Sequence, residues 1–429
     1  LDRRLVLQRP ERHRRRQPHP TVREEAAVVC GERHWLSTAD ALRARLDDDD
    51  WRVRLAAAVS LGSLQDEAAI EPLKARLASS GEWRERATAA TGLGRIGRRE
   101  VVPALIEALD DADPMVKAIA RDYLKRLCLA DLPADPAPWR KWWEANEKKF
   151  SFQDRNRRYE DARDEKYAYG DFKRRPYGAL ADIDVIVLGG GNDGIEKYLA
   201  AATIAHRMTA KGEVKASGLN PNAVFIANCP GQLDGDDPDR IEWFVHSGGY
   251  VFATCWGLTR TVARVFPGII HAERMEADRS SVDADPAAPE SPLLEDVVAP
   301  HTELQYGIAG YQLIVVDDPE RFEVLIDSEA ADAQWGQGNL FGWFRAGHGV
   351  VADSTNHFTL QGMDGLKFGS ADERMAYAFE RLGYDFERLR ELREEGVFKK
   401  DRSAADAVDD QSFLRLMARF VHLRRKVDG

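Results

Sequence analysis

Gly248-Gly249-Tyr250-Val251-Phe252-Ala253-Thr254-Cys255-Trp256-Gly257-Leu258 is a buried-strand pattern that runs straight into a cysteine and then a glycine able to open a helix. A side chain on the sharp turn between a strand and a helix stands clear of its own backbone. The helix N-terminus there stabilises a thiolate or a developing oxyanion. The stretch predicts a nucleophile elbow at Cys255.

Outward from the elbow, short β-branched runs alternate with amphipathic stretches, which reads as a parallel sheet with helices on both faces. The first strand, 183–188, ends in Gly189-Gly190-Gly191-Asn192-Asp193-Gly194 and a helix from Ile195 to about His206. Formally this is a GxGxxG turn after a strand, where Gly190, Asn192 and Asp193 are ligand-binding candidates and a dinucleotide pyrophosphate is one reading. The second strand that such a fold expects is not clear, because 207–216 is polar and only Glu213 offers an acidic ribose ligand. The next strand, 223–227, ends in Asn228-Cys229-Pro230-Gly231-Gln232, and the helix 239–246 returns to Gly248. Further strands are predicted at 311–316, 322–326 and 347–353, the last two joined through an apolar run at 341–344. The acidic, Pro- and Ala-rich stretch 275–290 reads as a loop over the strand ends, a lid in form.

The order strand, Pro-Gly turn, helix, Gly-Gly, strand, Ala-x-Cys-x-Gly resembles the class I glutamine amidotransferase-like superfamily, including its Pfp-type and ThuA-like branches. The resemblance covers about 182–365 and implies a flavodoxin-like parallel-sheet domain. It also implies that the N–H groups of Gly231 and Trp256 face an oxygen bound over Cys255. Superfamily enzymes follow a late strand with His-x-Glu; here His357 fits the histidine while Thr359 stands at the glutamate position. Pfp-type enzymes place a histidine directly after the nucleophile, where this chain has Trp256, and a glutamate early in the domain, for which only Glu196 or Asp193 is available. Cys255 and His357 form a candidate dyad with Asp353 as orienter. The alternatives are a fold that binds a small ligand without chemistry, or one that is purely structural. Cys229 also ends a strand beside Cys255, so a redox pair is a further reading. The histidines show no tight ligand spacing, so no metal and no cofactor are expected.

The N-terminal third repeats with a period near 31 to 32 residues. Trp51-Arg52-Val53-Arg54 through Leu61-Gly62 superposes on Trp83-Arg84-Glu85-Arg86 through Leu93-Gly94, and 114–127 repeats it less closely. Leu42 and Leu46, Ile70, Leu73 and Leu77, then Val102, Leu105 and Leu109 mark the companion helices, and aspartates such as Asp50 and Asp113 stand where they cap the next helix. The pattern resembles short HEAT repeats of the phycobilisome-lyase-like type and implies an α-solenoid whose concave face binds a protein partner. Bracing of the neighbouring domain is the alternative. Trp139, Trp142 and Trp143 lie on one helical face and read as a cap on the last repeat.

The expected organisation is a disordered basic segment 1–34, a solenoid with its cap 35–150, a charged aromatic linker 151–180, an α/β domain 181–370 and C-terminal helices 371–429. A net charge of -11 over 429 residues argues against a general nucleic-acid binder. No run reaches the roughly 18 apolar residues of a membrane span, and four scattered cysteines fit a reducing, cytoplasmic setting. Two readings follow: a HEAT scaffold carrying a small-ligand-binding α/β domain, or a thiol hydrolase using Cys255 and His357.

Overall fold

The computed structural model describes residues 18–79, 81–150, 184–191, 205–274, 280–291, 304–308 and 312–355, with a few isolated positions besides. Its first part is helical: α1 (Pro20–Glu32), α2 (Ala39–Arg45), α3 (Trp51–Ser63), α4 (Ile70–Leu77), α5 (Trp83–Ile96), α6 (Val102–Glu107), α7 (Pro114–Cys128) and α8 (Pro136–Asn146). The long helices α1, α3, α5 and α7 stack on one another in sequence order, while α2, α4 and α6 each pack on the long helix that follows. Asp50 and Asp113 cap α3 and α7, accepting from the N–H groups of Arg52 and Met115 at 2.8 and 2.9 Å. Among the described residues no helix is long and apolar enough to cross a membrane.

Helix α1 lies where a disordered basic tail was expected. Its Ala27 and Val28 are buried, and Ser60 Oγ on α3 donates to the Ala27 carbonyl at 2.7 Å. The repeat extends further toward the N-terminus than the leucine pattern reaches, because α1 joins the array through a glycine. Gly31, Gly62 and Gly94 recur at the repeat spacing, and each lets the next long helix approach: a Cβ there would meet Ser60, Arg95 and Tyr123 respectively. At Gly94 the contact is with the Tyr123 ring, 2.1 Å from the added atom. Gly94→Ala is therefore expected to lower stability by about 1–3 kcal/mol through overpacking. Urea denaturation checks this, and an unchanged midpoint would sink it.

The second part is a mixed-sheet α/β domain. Its strands are β1 (Val185–Leu188), β2 (His206–Thr209), β3 (Val224–Ala227), β4 (Tyr250–Thr254), β5 (Ile270–Arg274), β6 (Ser280–Pro286), β7 (Leu304–Ile308), β8 (Gln312–Val316), β9 (Phe322–Asp327), β10 (Asn339–Ala346) and β11 (Gly349–Ser354). Helix α9 (Asp237–His246) precedes β4. The large sheet has the order β2-β1-β3-β4-β11-β10-β9-β6-β7, and β5 pairs with β8 in a separate ribbon. From β2 to β11 the neighbours run parallel; β10, β9, β6 and β7 continue the sheet antiparallel.

The expectation of a parallel sheet is thus corrected to a mixed one. Only Gly347 and His348 separate β10 from β11, and a two-residue connection joins antiparallel strands alone. Two other expectations also change. The 275–290 stretch, read as a lid-like loop, contains β6, whose buried Val282 and Ala284 alternate with outward polar residues. The unclear second strand is β2, polar because it lies at the sheet edge with Arg207 and Met208 exposed.

The array and the sheet share one core. Helix α9 lies between them, with Ile241, Trp243, Phe244 and Val245 all fully buried. Trp243 meets Trp83 edge-on at 5.9 Å between ring centroids, and its Nε1 donates to Thr88 Oγ1 at 3.3 Å. Arg240 donates to both carboxylate oxygens of Asp113 at 2.8 and 3.0 Å while its guanidinium stacks 3.7 Å from the Trp83 ring centre. The His246 ring is hydrogen-bonded to Glu24 and edges onto Trp51 at 5.6 Å. Arg52 pairs with Glu242, and Arg84 with Asp239 at 3.0 Å. The long-helix row is therefore covered in part by the chain's own α/β domain.

Candidate functional site

Strand β4 delivers Cys255 into a turn that only a few residues tolerate. Its φ is +47°, in the left-handed region that costs a β-carbon residue of order 1–3 kcal/mol. The turn is fastened on both sides. The Cys255 N–H donates to the Ser354 carbonyl at 2.7 Å, and the Leu258 N–H donates to the Cys255 carbonyl at 3.0 Å. A π-helical turn, Leu258–Val262, follows and continues as the short helix α10 (Ala263–Val265). Gly257 allows this helix onto the sheet, since a Cβ there would lie 3.1 Å from Ala253 Cβ and 3.2 Å from the Ala227 carbonyl.

The Pro-Gly turn after β3 packs on the same helix. Cys229-Pro230 is a cis peptide, Gly231 has φ +59°, and Thr261 Oγ1 donates to the Gly231 carbonyl at 2.6 Å. A Cβ on Gly231 would approach Gly257 Cα to 3.0 Å. From β1, Gly190 lies against the Cys229 carbonyl, 2.1 Å from where its own Cβ would be. Gly190, Cys229, Gly231, Cys255 and Trp256 thus gather at the carboxyl ends of β1, β3 and β4. This is the edge where open α/β sheets place ligands.

Asp353 stands one strand over. In β11 it pairs in register with Ala253, two residues before the elbow. It is 1% exposed, neither carboxylate oxygen has a hydrogen-bond partner among the described residues, and burial pushes its carboxyl well above the usual range. Burial disfavours the charged form, so this carboxyl holds its proton to a higher pH than a solvated one. Asn192, Asp193 and His357 lie outside the described residues.

Two buried polar groups at this edge escaped sequence reasoning. Asn228, directly after β3, donates from Nδ2 to Glu196 at 3.0 Å while its Oδ1 has no hydrogen-bond partner among the described residues. Thr355, directly after β11, is buried, and its Oγ1 has no hydrogen-bond partner among the described residues. Their signal was available: each is the polar residue directly after a strand, level with the elbow. Among the described residues no group of three or more His, Cys, Asp and Glu side chains is placed to hold a metal ion.

A cleft of about 1050 Å³ lies elsewhere, between α7 and the starts of β1 and β2. Its arginines are engaged, Arg121 with Asp131, Arg126 with Asp122 and Arg207 with Asp184. Because it opens at the amino ends of the strands, it is separate from the elbow.

The class these features define is a helical-repeat array fused to a mixed-sheet α/β domain. HEAT repeats match residues 13–90 and 71–137, which covers the array and includes α1. None of the curated proteins matches the chain. Partial overlaps occur with solved structures. A beta-galactosidase from Rahnella sp. R3 shares 15% identity over 41% of this chain and 29% of that one, with a TM-score of 0.30. A beta-galactosidase from Bacillus circulans sp. alkalophilus shares 18% over 43% and 30%, TM-score 0.31. The exo-beta-1,4-mannosidase Op5Man5 from Opitutaceae bacterium strain TAV5 shares 10% over 68% and 53%, TM-score 0.28. The chain spans less than a third of the length of the two galactosidases and about half that of the mannosidase.

Proposed function

We propose that the α/β domain binds a small ligand at the carboxyl ends of β3, β4 and β11, over Cys255, and that the HEAT array is a scaffold that braces this domain and meets a protein partner. The observation that carries this reading is the left-handed Cys255, φ +47°, at a strand-to-helix turn. A fold does not hold a non-glycine residue there without surrounding structure that over-determines it. The parallel strands β2-β1-β3-β4-β11, counted in the order in which they occur along the chain, follow the flavodoxin-like order 2-1-3-4-5. That order supports the resemblance to the class I amidotransferase-like superfamily. In that frame the N–H groups of Gly231 and Trp256 suit a carbonyl or carboxylate oxygen.

The second reading, a thiol hydrolase with Cys255 attacking and His357 as base, draws on the same strained elbow. Asp353 favours binding over hydrolysis. A carboxyl whose charged form burial disfavours is a poor orienter for a histidine that must become cationic. The two readings separate on the rate at which iodoacetamide labels Cys255 at neutral pH, read by peptide mass spectrometry with Cys255→Ser as the blank. Binding without chemistry predicts labelling no faster than a free thiol, slowed further by millimolar acetate or acetamide. Labelling faster than a free thiol would mean an activated thiolate and would replace this reading with the hydrolase.

A further inference from the structure

The π-helical turn that follows the elbow puts a cation beside it. The Arg260 N–H donates to the Trp256 carbonyl at 3.0 Å, and the side chain turns back over the same residue, its guanidinium carbon 5.4 Å from the centre of the Trp256 ring. Its Nη1 lies 3.4 Å from Oε1 of Gln232, the residue after Gly231. The guanidinium is thus held between the two segments whose N–H groups, those of Gly231 and Trp256, are proposed to face a bound oxygen.

Two observations set Arg260 apart from the arginines of the fold. Arg23, Arg86 and Arg240 each grip a carboxylate at 2.6 to 2.8 Å. Arg260 is half-buried, yet among the described residues its partners are only the neutral Gln232 and the Trp256 ring. A contact of that length to a neutral acceptor leaves the charge without a counterion and most of the guanidinium N–H donors unused. Nor is Arg260 needed to fasten the Pro-Gly turn. Arg264 donates to the Leu233 carbonyl at 2.7 Å and Thr261 Oγ1 to the Gly231 carbonyl at 2.6 Å, so that turn is already clasped to the helix.

We infer that Arg260 selects the charge of the ligand: the group bound over Cys255 is a carboxylate, with one oxygen at the Gly231 and Trp256 N–H groups and the other on Arg260. This role rests on the reading of the elbow as a ligand site. A pair of N–H groups of that kind is suited to one oxygen. A carboxylate brings a second oxygen and the negative charge, and the planar guanidinium fork binds both. An amide of the same shape presents an NH2 group there instead, so that donor meets donor and the cation stays without a counterion.

The test is a ligand-observed NMR titration of the full chain with acetate and with acetamide, which are nearly equal in size and differ in charge. The wild type is expected to bind acetate at least about tenfold more tightly than acetamide, the ratio a charge-assisted hydrogen bond supports. Arg260→Gln is expected to bring the two dissociation constants together by weakening acetate alone. Arg260→Lys is expected to keep acetate the tighter of the two, and melting temperatures check the fold of both variants. Equal binding of acetate and acetamide by the wild type overturns the inference while leaving the elbow a ligand site. So does a preference for acetate that survives Arg260→Gln in a protein with the wild-type melting temperature. Binding of neither compound overturns the inference together with the reading on which it rests.

Discussion

Arg240→Ala is expected to destabilise the whole chain by about 3–5 kcal/mol, the range found when one partner of a buried ion pair is removed. Arg240 is 4% exposed and holds three groups at once: both oxygens of Asp113, Asp236 at 3.0 Å and the face of Trp83. Its loss leaves the Asp113 carboxylate at a junction from which water is largely excluded. Asp113 also caps α7, so the damage passes into the solenoid through Met115 N–H. Because Trp243, Trp83 and the sheet-facing side of α9 belong to one continuous core, array and sheet should unfold together. Urea denaturation followed by tryptophan fluorescence reads the effect. A double-mutant cycle with Asp113→Ala isolates the pair, for which neighbours in contact show coupling of roughly 0.5–3 kcal/mol. A loss below about 1 kcal/mol, or two separate transitions in the wild type, would show that the array and the sheet are merely tethered.

The same residues show where sequence reading succeeds and where it stops. Trp51 and Trp83 announced the repeat because they recur in identical surroundings. Their partners, His246 and Trp243, lie over a hundred residues away, and nothing local says that a repeat signature also faces another domain. Asp113 is similar: capping is a local role and was legible, whereas its bond to Arg240 is a long-range accident of packing. The elbow was legible as Gly-Gly, strand, Cys-x-Gly, since each glycine answers a steric need that a pattern can express. The positive φ of Cys255 was not, because local propensity argues against it and only the fastening by Ser354 and Leu258 imposes it. Edge strands were hardest. β2 is polar since one side meets solvent, and β6 hides in an acidic run because only its alternate residues pack inward.

Asp353→Asn is expected to stabilise the protein, and increasingly so as pH rises. In the unfolded chain this carboxyl ionises near pH 3.9, whereas burial holds its proton in the folded protein to a much higher pH. Below the unfolded value both states are protonated and burial of the acid carries no penalty from ionisation. Above it the unfolded state releases its proton while the folded state keeps it, so stability falls by up to about 1.4 kcal/mol per pH unit until the folded group also ionises. The amide has nearly the same shape and no proton to release, so the variant escapes this loss. Both side chains are similar in shape and polarity, which makes their difference close to zero at pH 4 and larger as pH rises. Melting temperatures of the two proteins from pH 4 to pH 8 should therefore diverge by several degrees, and a gap that does not widen with pH would show that Asp353 ionises normally. A substitution that stabilises this way marks a residue retained for something other than the fold.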